Sequence, residues 1–416
     1  MNSARRVAVV ARAVFPMHGY GGLERHVYDL VRHLDRAGVQ VRLITRRSSA
    51  GRVHAENPPF ERSVCVTTIP YRTFPFAGRR GTTILDRSTA YPLFGERAGK
   101  IAWDLARAGE VDIVHGLGAS VLGYARRRRT TTVPLVLNPQ GLEEFGSTDP
   151  SRARVKRVAY LPLRRAVLTC ARAADRVIAT DRSLEPAVLQ HLRVAKAKVR
   201  LVPNAIDLET IDAWAQPGDG QRVRAAAGIM PDDLVLLSVG RLETNKGFGV
   251  LVDALAALQA HGGLPDNWTW VLIGDGPARQ SLEQAIARAT LKRHVLMPGR
   301  VDDADLHAWY GTATLFVHPT LYEGSSLVTL EAMAHGRAIV ASRAGGLPDK
   351  VKSGENGWLV EPGNPEALSA AISGALGQRA RLIDMGRASR AIVEREFAWP
   401  AVTRRLLDVY GELLGR

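Results

Sequence analysis

Cysteine is nearly missing from this chain: Cys65 and Cys170 are the only two in 416 residues. That excludes a disulfide framework, a CxxC redox pair and the spaced ligand set of a structural zinc site. No stretch reaches 18 uncharged apolar residues, so no membrane-spanning helix is expected. The apolar run near the start is short and broken by Arg12, and it reads as a first strand rather than a signal peptide. Helix-turn-helix, zinc-finger and RNA-recognition patterns are also missing, so nucleic acid is not an expected partner. These absences point to a cytoplasmic protein, at most peripheral at the inner face of a membrane.

What is present is charge, unevenly spread. The formal net charge is +15. Residues 1–200 hold 35 Lys and Arg against 16 Asp and Glu, which is +19, and the remaining residues come to −4. The densest run, residues 151–176, has eight basic residues and one acidic residue, and Arg126–Arg129 adds a second cluster. A basic face suits an anionic lipid surface or a phosphorylated acceptor. It also suits a solvated surface in a chain rich in arginine.

The length predicts two domains. Short apolar runs alternate with helix-period segments throughout. Residues 7–11, 41–45, 112–115, 135–137 and 176–180 read as strands of one half. Residues 234–239, 270–273, 295–297, 314–317 and 338–341 read as strands of the other. Between them lie helical patterns. The clearest places Leu23, Val27, Leu30, Val31 and Leu34 on one face, with Gly38 past the end. Helices are also expected over 250–260 and 327–335, and an amphipathic one in the tail. This order predicts an α/β protein of two doubly wound parallel sheets. The boundary falls near residues 202–207 and the polar stretch 215–220.

Three strand-to-loop junctions carry candidate chemistry. After residues 234–239 come Gly240, Arg241, Lys246 and Gly247, then a helix. Two cations beside a positive helix end suit a diphosphate, although the loop is neither a Walker loop nor GxGxxG. After residues 270–273, Gly274 and Gly276 imply close backbone approach to a partner. After residues 314–317 come Glu323, Gly324, Ser325, Ser326, Leu327 and Glu331. Ser325 or Ser326 can cap a helix running to Gly336. The free N–H groups of residues 324–327 would then face any anion placed there. A carboxylate at each end of this cradle suits a ligand with hydroxyls on both sides of a phosphate, as in a nucleotide sugar.

These residues resemble the retaining glycosyltransferase family 4. The matching features are Val239-Gly240-Arg241-Leu242 with Lys246-Gly247, Gly274 and Gly276-Pro277, and Glu323 and Glu331 followed by Ala332-Met333-Ala334 and Gly336. Residues 18–27, 341–348 and 356–363 add to the likeness. The resemblance covers nearly the whole chain and is densest over 235–365.

The resemblance implies a GT-B fold: two Rossmann-like domains facing across a cleft. The acceptor domain would be residues 1–205, with helix 398–416 packing back on it, and the donor domain residues 206–397. Arg241 and Lys246 would hold the donor diphosphate, Glu331 the ribose, and Glu323 the hydroxyls of the donor sugar. Backbone at Arg300 and Val301 would meet the base. Gly21 and Gly22 would let an N-terminal loop approach the phosphates. No metal or other cofactor is needed in this scheme, and the Asp303-Ala-Asp305 triplet reads as helix capping. The expected partners are a UDP- or GDP-sugar and a lipid-linked or anionic acceptor of polysaccharide or glycolipid synthesis.

Three departures from the family pattern fall near the site. Ser325-Ser326 replace a common Phe-Gly, and Leu117 replaces the second histidine of an H-x-H, leaving His115 as the remaining catalytic candidate there. Pro139-Gln140-Gly141 also stand where many members have His-Gly. A nucleotide-sugar epimerase of the same shape and a degenerate sugar-nucleotide-binding homologue stay open as alternatives.

Overall fold

The computed structural model describes residues 5–19, 21–48, 60, 63–71, 82–140, 142–145 and 158–415. Gly141 and the first seven residues of the basic run 151–176 lie outside them. The chain divides into two compact units. One is Met1–Asn204 with Trp399–Arg416, and the other is Ala205–Ala398.

The first unit is built on seven parallel strands. They are β1 (Arg6–Val10), β2 (Gln40–Arg46), β3 (Cys65–Ile69), β4 (Ile113–Leu117), β5 (Leu135–Asn138), β6 (Arg176–Ala179) and β7 (Val199–Leu201). Their order is β3-β2-β1-β4-β5-β6-β7. Val9 lies opposite Leu43 on one side and His115 on the other. The second unit has six parallel strands: β8 (Leu234–Val239), β9 (Trp268–Ile273), β10 (Val295–Gly299), β11 (Leu315–His318), β12 (Ile339–Ser342) and β13 (Gly357–Val360). Their order is β10-β9-β8-β11-β12-β13.

These sheets form because their central strands are apolar on both faces and helices cover each face. In the second unit, Leu237, Phe316 and Ile339 pack into one core, and Leu236, Leu315 and Val340 into another on the opposite face. Each such side chain contributes about 1.5–3 kcal/mol on full burial. The strand order reverses between β1 and β4 and between β8 and β11. Ligands of doubly wound sheets bind at such points, beyond the carboxyl ends of the strands.

The helix Gly22–Arg36 buries Val27, Leu30, Val31 and Leu34, while Leu23 stays exposed. The tail forms a helix over Trp399–Leu414 that belongs to the first unit. Pro400 lies in its first turn, where a missing N–H costs nothing, rather than breaking the chain ahead of it. Trp399 stacks on His33 at 5.4 Å and lies 5.5 Å from His26. Glu412 holds Arg176 and Arg200 at 3.1 and 2.7 Å. Truncating Trp399 to alanine is expected to destabilise the first unit by about 3–5 kcal/mol, since the cavity cannot refill. Urea unfolding followed by fluorescence of the remaining tryptophans, against wild type, measures it.

The same helix covers His115. Tyr410, fully buried, hydrogen-bonds His115 Nδ1 at 2.7 Å. His115 is itself 1% exposed, and among the described residues its Nε2 meets no hydrogen-bond partner. Burial, with the charge of His26, holds its pKa down at about 3, so the ring is neutral at ordinary pH. The ring is thus covered by a helix from the far end of the chain, 295 residues away at Tyr410.

Candidate functional site

The β8–β11 switch point is assembled from backbone first. The loop after β8 is sewn to the loop after β9: Gly240 N–H donates to Ile273 O at 3.0 Å, Leu242 N–H to Asp275 O at 3.1 Å and Ala278 N–H to Leu242 O at 2.8 Å. A Cβ on Gly274 would collide with the carbonyl of Gly240, and one on Gly276 would lie 2.5 Å from Leu242 O. The close approach expected at Gly274 and Gly276 is therefore to the neighbouring loop. The turn Thr244–Lys246 ends at Gly247, whose φ is +68°. Asn245 O there accepts from Leu321 N–H at 2.8 Å and from Thr320 Oγ1 at 3.1 Å. The loops after β8 and β11 are thus joined where the strand order reverses.

That junction brings Lys246 and Glu323 together. Lys246 Nζ donates to Glu323 Oε2 at 2.8 Å, and the same oxygen lies 2.8 Å from His318 Nε2. His318 is the last residue of β11 and is completely buried. Burial alone would raise the Glu323 carboxyl. The hydrogen bond and charge of His318, with the Lys246 ammonium, outweigh it and hold the pKa at about 2, below the ordinary 4.5. Glu323 is thus an ionised acceptor at any physiological pH. A depressed carboxyl contributes stability that is fully present above pH 4.5 and lost as pH falls toward 2. Wild type is expected to lose stability relative to Glu323→Gln across that window, as acid-unfolding curves of the two would show. Parallel curves would contradict the pairing.

The cradle follows Glu323. Ser326 caps the helix Leu327–Ala334, its side chain accepting from Thr329 N–H. The helix stops short of Gly336, whose φ is +64°. The first N–H groups of a helix have no partner inside it, and here Ser326 takes that of Thr329. A second loop backs the cradle. Gly346 N–H donates to Gly324 O at 3.2 Å, and Gly345, at φ +51°, leaves no room for a Cβ against the carbonyl of Glu323. Lys350 donates to Ser325 Oγ at 3.2 Å. Glu331, in the second turn, accepts from Tyr310 Oη at 2.9 Å. Sequence reasoning missed His318, Tyr310 and Lys350. Only His318 carried a signal, as a polar residue closing an apolar strand.

The remaining expected residues spread around this centre. The Arg241 side chain is 68% exposed and pairs with Glu243 at 2.9 Å. Arg300 is exposed and Val301 half-buried, just past β10. Asp302, rather than Asp303 or Asp305, caps the next helix, and Asp305 pairs with Arg222 at 2.8 Å. Gly21 caps the helix Gly22–Arg36 in the first unit. Among the described residues no group of three or more His, Cys, Asp or Glu is placed to hold a metal ion.

A cavity of about 640 Å³ opens at the amino ends of β11 and β12, the opposite end of the sheet. Two of its lining arginines are engaged with carbonyls: Arg337 with Ala313 O and His335 O, and Arg390 with Ala334 O. In the first unit a cavity of about 70 Å³ lies at the carboxyl ends of β1, β4 and β5, lined in part by Arg12, Arg87, Tyr91, Gln140 and Glu144.

Comparison with known proteins agrees with this architecture. Residues 20–210 match the model for Glycosyltransferase Family 4, and residues 233–378 that for Glycosyl transferases group 1. The D-inositol 3-phosphate glycosyltransferase of Streptomyces avermitilis is 26% identical, over 99% of this chain and 88% of its own length. A D-inositol 3-phosphate glycosyltransferase of Catenulispora acidiphila is 29% identical, over 94% of this chain and 90% of its own. The sucrose-phosphate synthase of Thermosynechococcus elongatus has the same fold, with a TM-score of 0.75, 24% identity and 99% of both chains covered. Anabaena HepE, solved with UDP, gives a TM-score of 0.71 at 20% identity, covering 98% of this chain and all of that one. Two family models that between them cover residues 20–210 and 233–378, a parallel Rossmann-like sheet in each unit, and relatives matched over 88–90% of their own length make this chain a GT-B glycosyltransferase of family 4.

Proposed function

We propose that the chain transfers a sugar, with retention of anomeric configuration, from a UDP- or GDP-sugar to a hydroxyl of an anionic acceptor. The observation that carries the donor half is the Lys246–Glu323–His318 cluster at the β8–β11 switch point, directly ahead of a helix start. An ammonium has three donors. Lys246 can therefore keep Glu323 and also meet a phosphate oxygen, with Arg241 as the outer cation. Glu323, fixed and ionised, accepts from hydroxyls of the donor sugar, and Glu331, oriented by Tyr310, from the ribose. Protein cations and the helix start supply the positive charge, so the scheme uses no metal. HepE, a structural relative, has been solved with UDP-glucose, which supports a nucleotide-sugar donor.

In the reaction the bond between the anomeric carbon and the phosphate oxygen breaks, and a bond from the acceptor oxygen forms on the same face. The acceptor proton passes to the departing phosphate, while Arg241 and Lys246 stabilise its charge.

The acceptor half draws on the cavity in the first unit. Arg12 and Arg87 line it, with the Arg12 guanidinium 4.9 Å from the Tyr91 ring centre. Two guanidinium groups at a sheet's carboxyl end suit a phosphorylated polyol. The relatives named for D-inositol 3-phosphate support that class. A lipid-linked form of such an acceptor, met at a membrane surface, is favoured by Val158 and Leu161, 76% and 42% exposed beside the exposed Arg165. Co-sedimentation with anionic vesicles that weakens in V158D/L161D supports the membrane arm, and no co-sedimentation removes it.

The test of the whole reading offers UDP- and GDP-sugars with D-inositol 3-phosphate or with inositol and follows the product by proton NMR. Transfer with retention, preference for the phosphorylated acceptor and loss of that preference in Arg87→Ala are expected. An inverted product overturns the mechanism. A donor epimerised without an acceptor overturns the transferase reading.

A further inference from the structure

The second unit buries a lysine directly behind the cradle. Lys350 is 1% exposed, among the largest side chains that are fully buried. It stands at the end of a short turn, Leu347–Lys350, and its Nζ donates to Ser325 Oγ at 3.2 Å and to Gly346 O at 3.3 Å. It lies 5.7 Å from the centre of the Phe397 ring. Its backbone is fixed as well: Asn356, fully buried, donates from Nδ2 to Lys350 O at 3.1 Å and accepts from Lys352 N–H at 2.7 Å. The segment that carries Lys350 is also the one locked to the cradle through Gly345 and Gly346. Lys350 therefore cannot drift relative to Ser325.

A serine hydroxyl has one O–H to donate and two lone pairs to accept with. Where a lysine supplies one of the accepted bonds, the hydroxyl's own hydrogen is free to point away from it. Ser325 stands immediately before Ser326, the cap of the helix Leu327–Ala334. The two adjacent serines thus have separate duties. Ser326 faces inward as the helix cap, and Ser325 is held from behind by Lys350.

We propose that Lys350 is a positioning residue of the donor site: through Ser325 it aims a hydroxyl donor at an oxyanion of the nucleoside diphosphate resting on the helix start. This rests on the donor reading above and adds a specificity element to it. The buried lysine never touches the ligand. It sets the direction of the hydroxyl that does. Because the target is the diphosphate, the effect falls on nucleoside diphosphates and spares nucleosides, which reach the same site through base and ribose alone.

The experiment measures, by titration calorimetry, the affinities of UDP and uridine, and of GDP and guanosine, for wild type, Lys350→Met, Ser325→Ala and the double variant. Losing one hydrogen bond to a charged oxygen should weaken diphosphate binding roughly ten-fold. Both single variants are expected to show that loss with nucleoside binding unchanged, and the double variant is expected to be no worse than either single one. Independent, additive losses would overturn the proposal, as would equal weakening of nucleoside and diphosphate in both single variants. Ser325→Ala changes a loop hydroxyl only, so it remains informative if Lys350→Met fails to fold; an unchanged diphosphate affinity there overturns the proposal alone. A wild type that binds diphosphate no better than nucleoside brings down the donor reading, and this inference with it.

Discussion

Exchanging Lys246 for methionine is expected to lower kcat/KM for the donor by roughly 10²–10³-fold, the usual loss when one preorganised charge-stabilising group is removed from a reacting centre. Two effects add in this variant. The ammonium that meets the leaving diphosphate is gone. Glu323, 11% exposed, is left with His318 to offset a full negative charge. Removing one partner of a buried pair costs about 3–5 kcal/mol, and the partial exposure of Lys246 puts this pair below that range. The two effects separate in the double variant with Glu323→Gln. Neutralising Glu323 should restore stability and leave turnover low. If single-turnover rates in Lys246→Met match wild type, the diphosphate is not held at this switch point.

The second large effect concerns a residue without a side chain. Gly345→Ala is expected to reduce turnover by about two orders of magnitude, a loss comparable to misplacing a reactive group by about 1 Å. At φ +51° a Cβ is already strained, and here it would drive into the carbonyl of Glu323. Both partners in that collision are backbone, so no side chain can swing away. The loop carrying Glu323 must move, and with it the pairing to Lys246 and His318. Gly311→Ala is the control, since nothing lies within 4 Å of an added Cβ there. An active Gly345→Ala enzyme would show that the position of Glu323 is not critical.

Central strands were legible because they are buried on both faces and read as unbroken apolar runs. Edge strands were not. Three of the four edges, β3, β7 and β13, went unread. Cys65 of β3 is exposed, β7 is three residues long with Leu201 partly in solvent, and β13 opens on a glycine. Edge strands need only one covered side, so their composition resembles that of loops. The helix Thr82–Arg107 also went unread, with Pro92 inside it to interrupt the pattern.

In the site, residues near one another in sequence were singled out together, Arg241 with Lys246 and Glu323 with Ser326 and Glu331; the structure joins Lys246 to Glu323 and leaves Arg241 paired with Glu243. What could not be read is what folding brings in from elsewhere. Tyr310 reaches Glu331 from another helix, and Lys350 reaches Ser325 from 25 residues on. A lysine flanked by aspartate and valine gives no sign in sequence that it will be buried. His115 was singled out by the first position of an H-x-H, and nothing in the sequence shows that the C-terminal helix covers it.

The claim that the β8–β11 switch point holds a nucleotide-sugar donor is tested most directly by thermal melting of wild type, Arg241→Ala and Glu331→Ala with UDP, GDP, ADP and their common sugars. A ligand that binds only the folded state raises its stability by RT ln(1 + [L]/Kd). The expected result is a rise in Tm with one base, UDP or GDP, that both variants lose. A rise that both variants keep would place the nucleotide elsewhere, and no rise with any nucleotide would contradict the donor site outright.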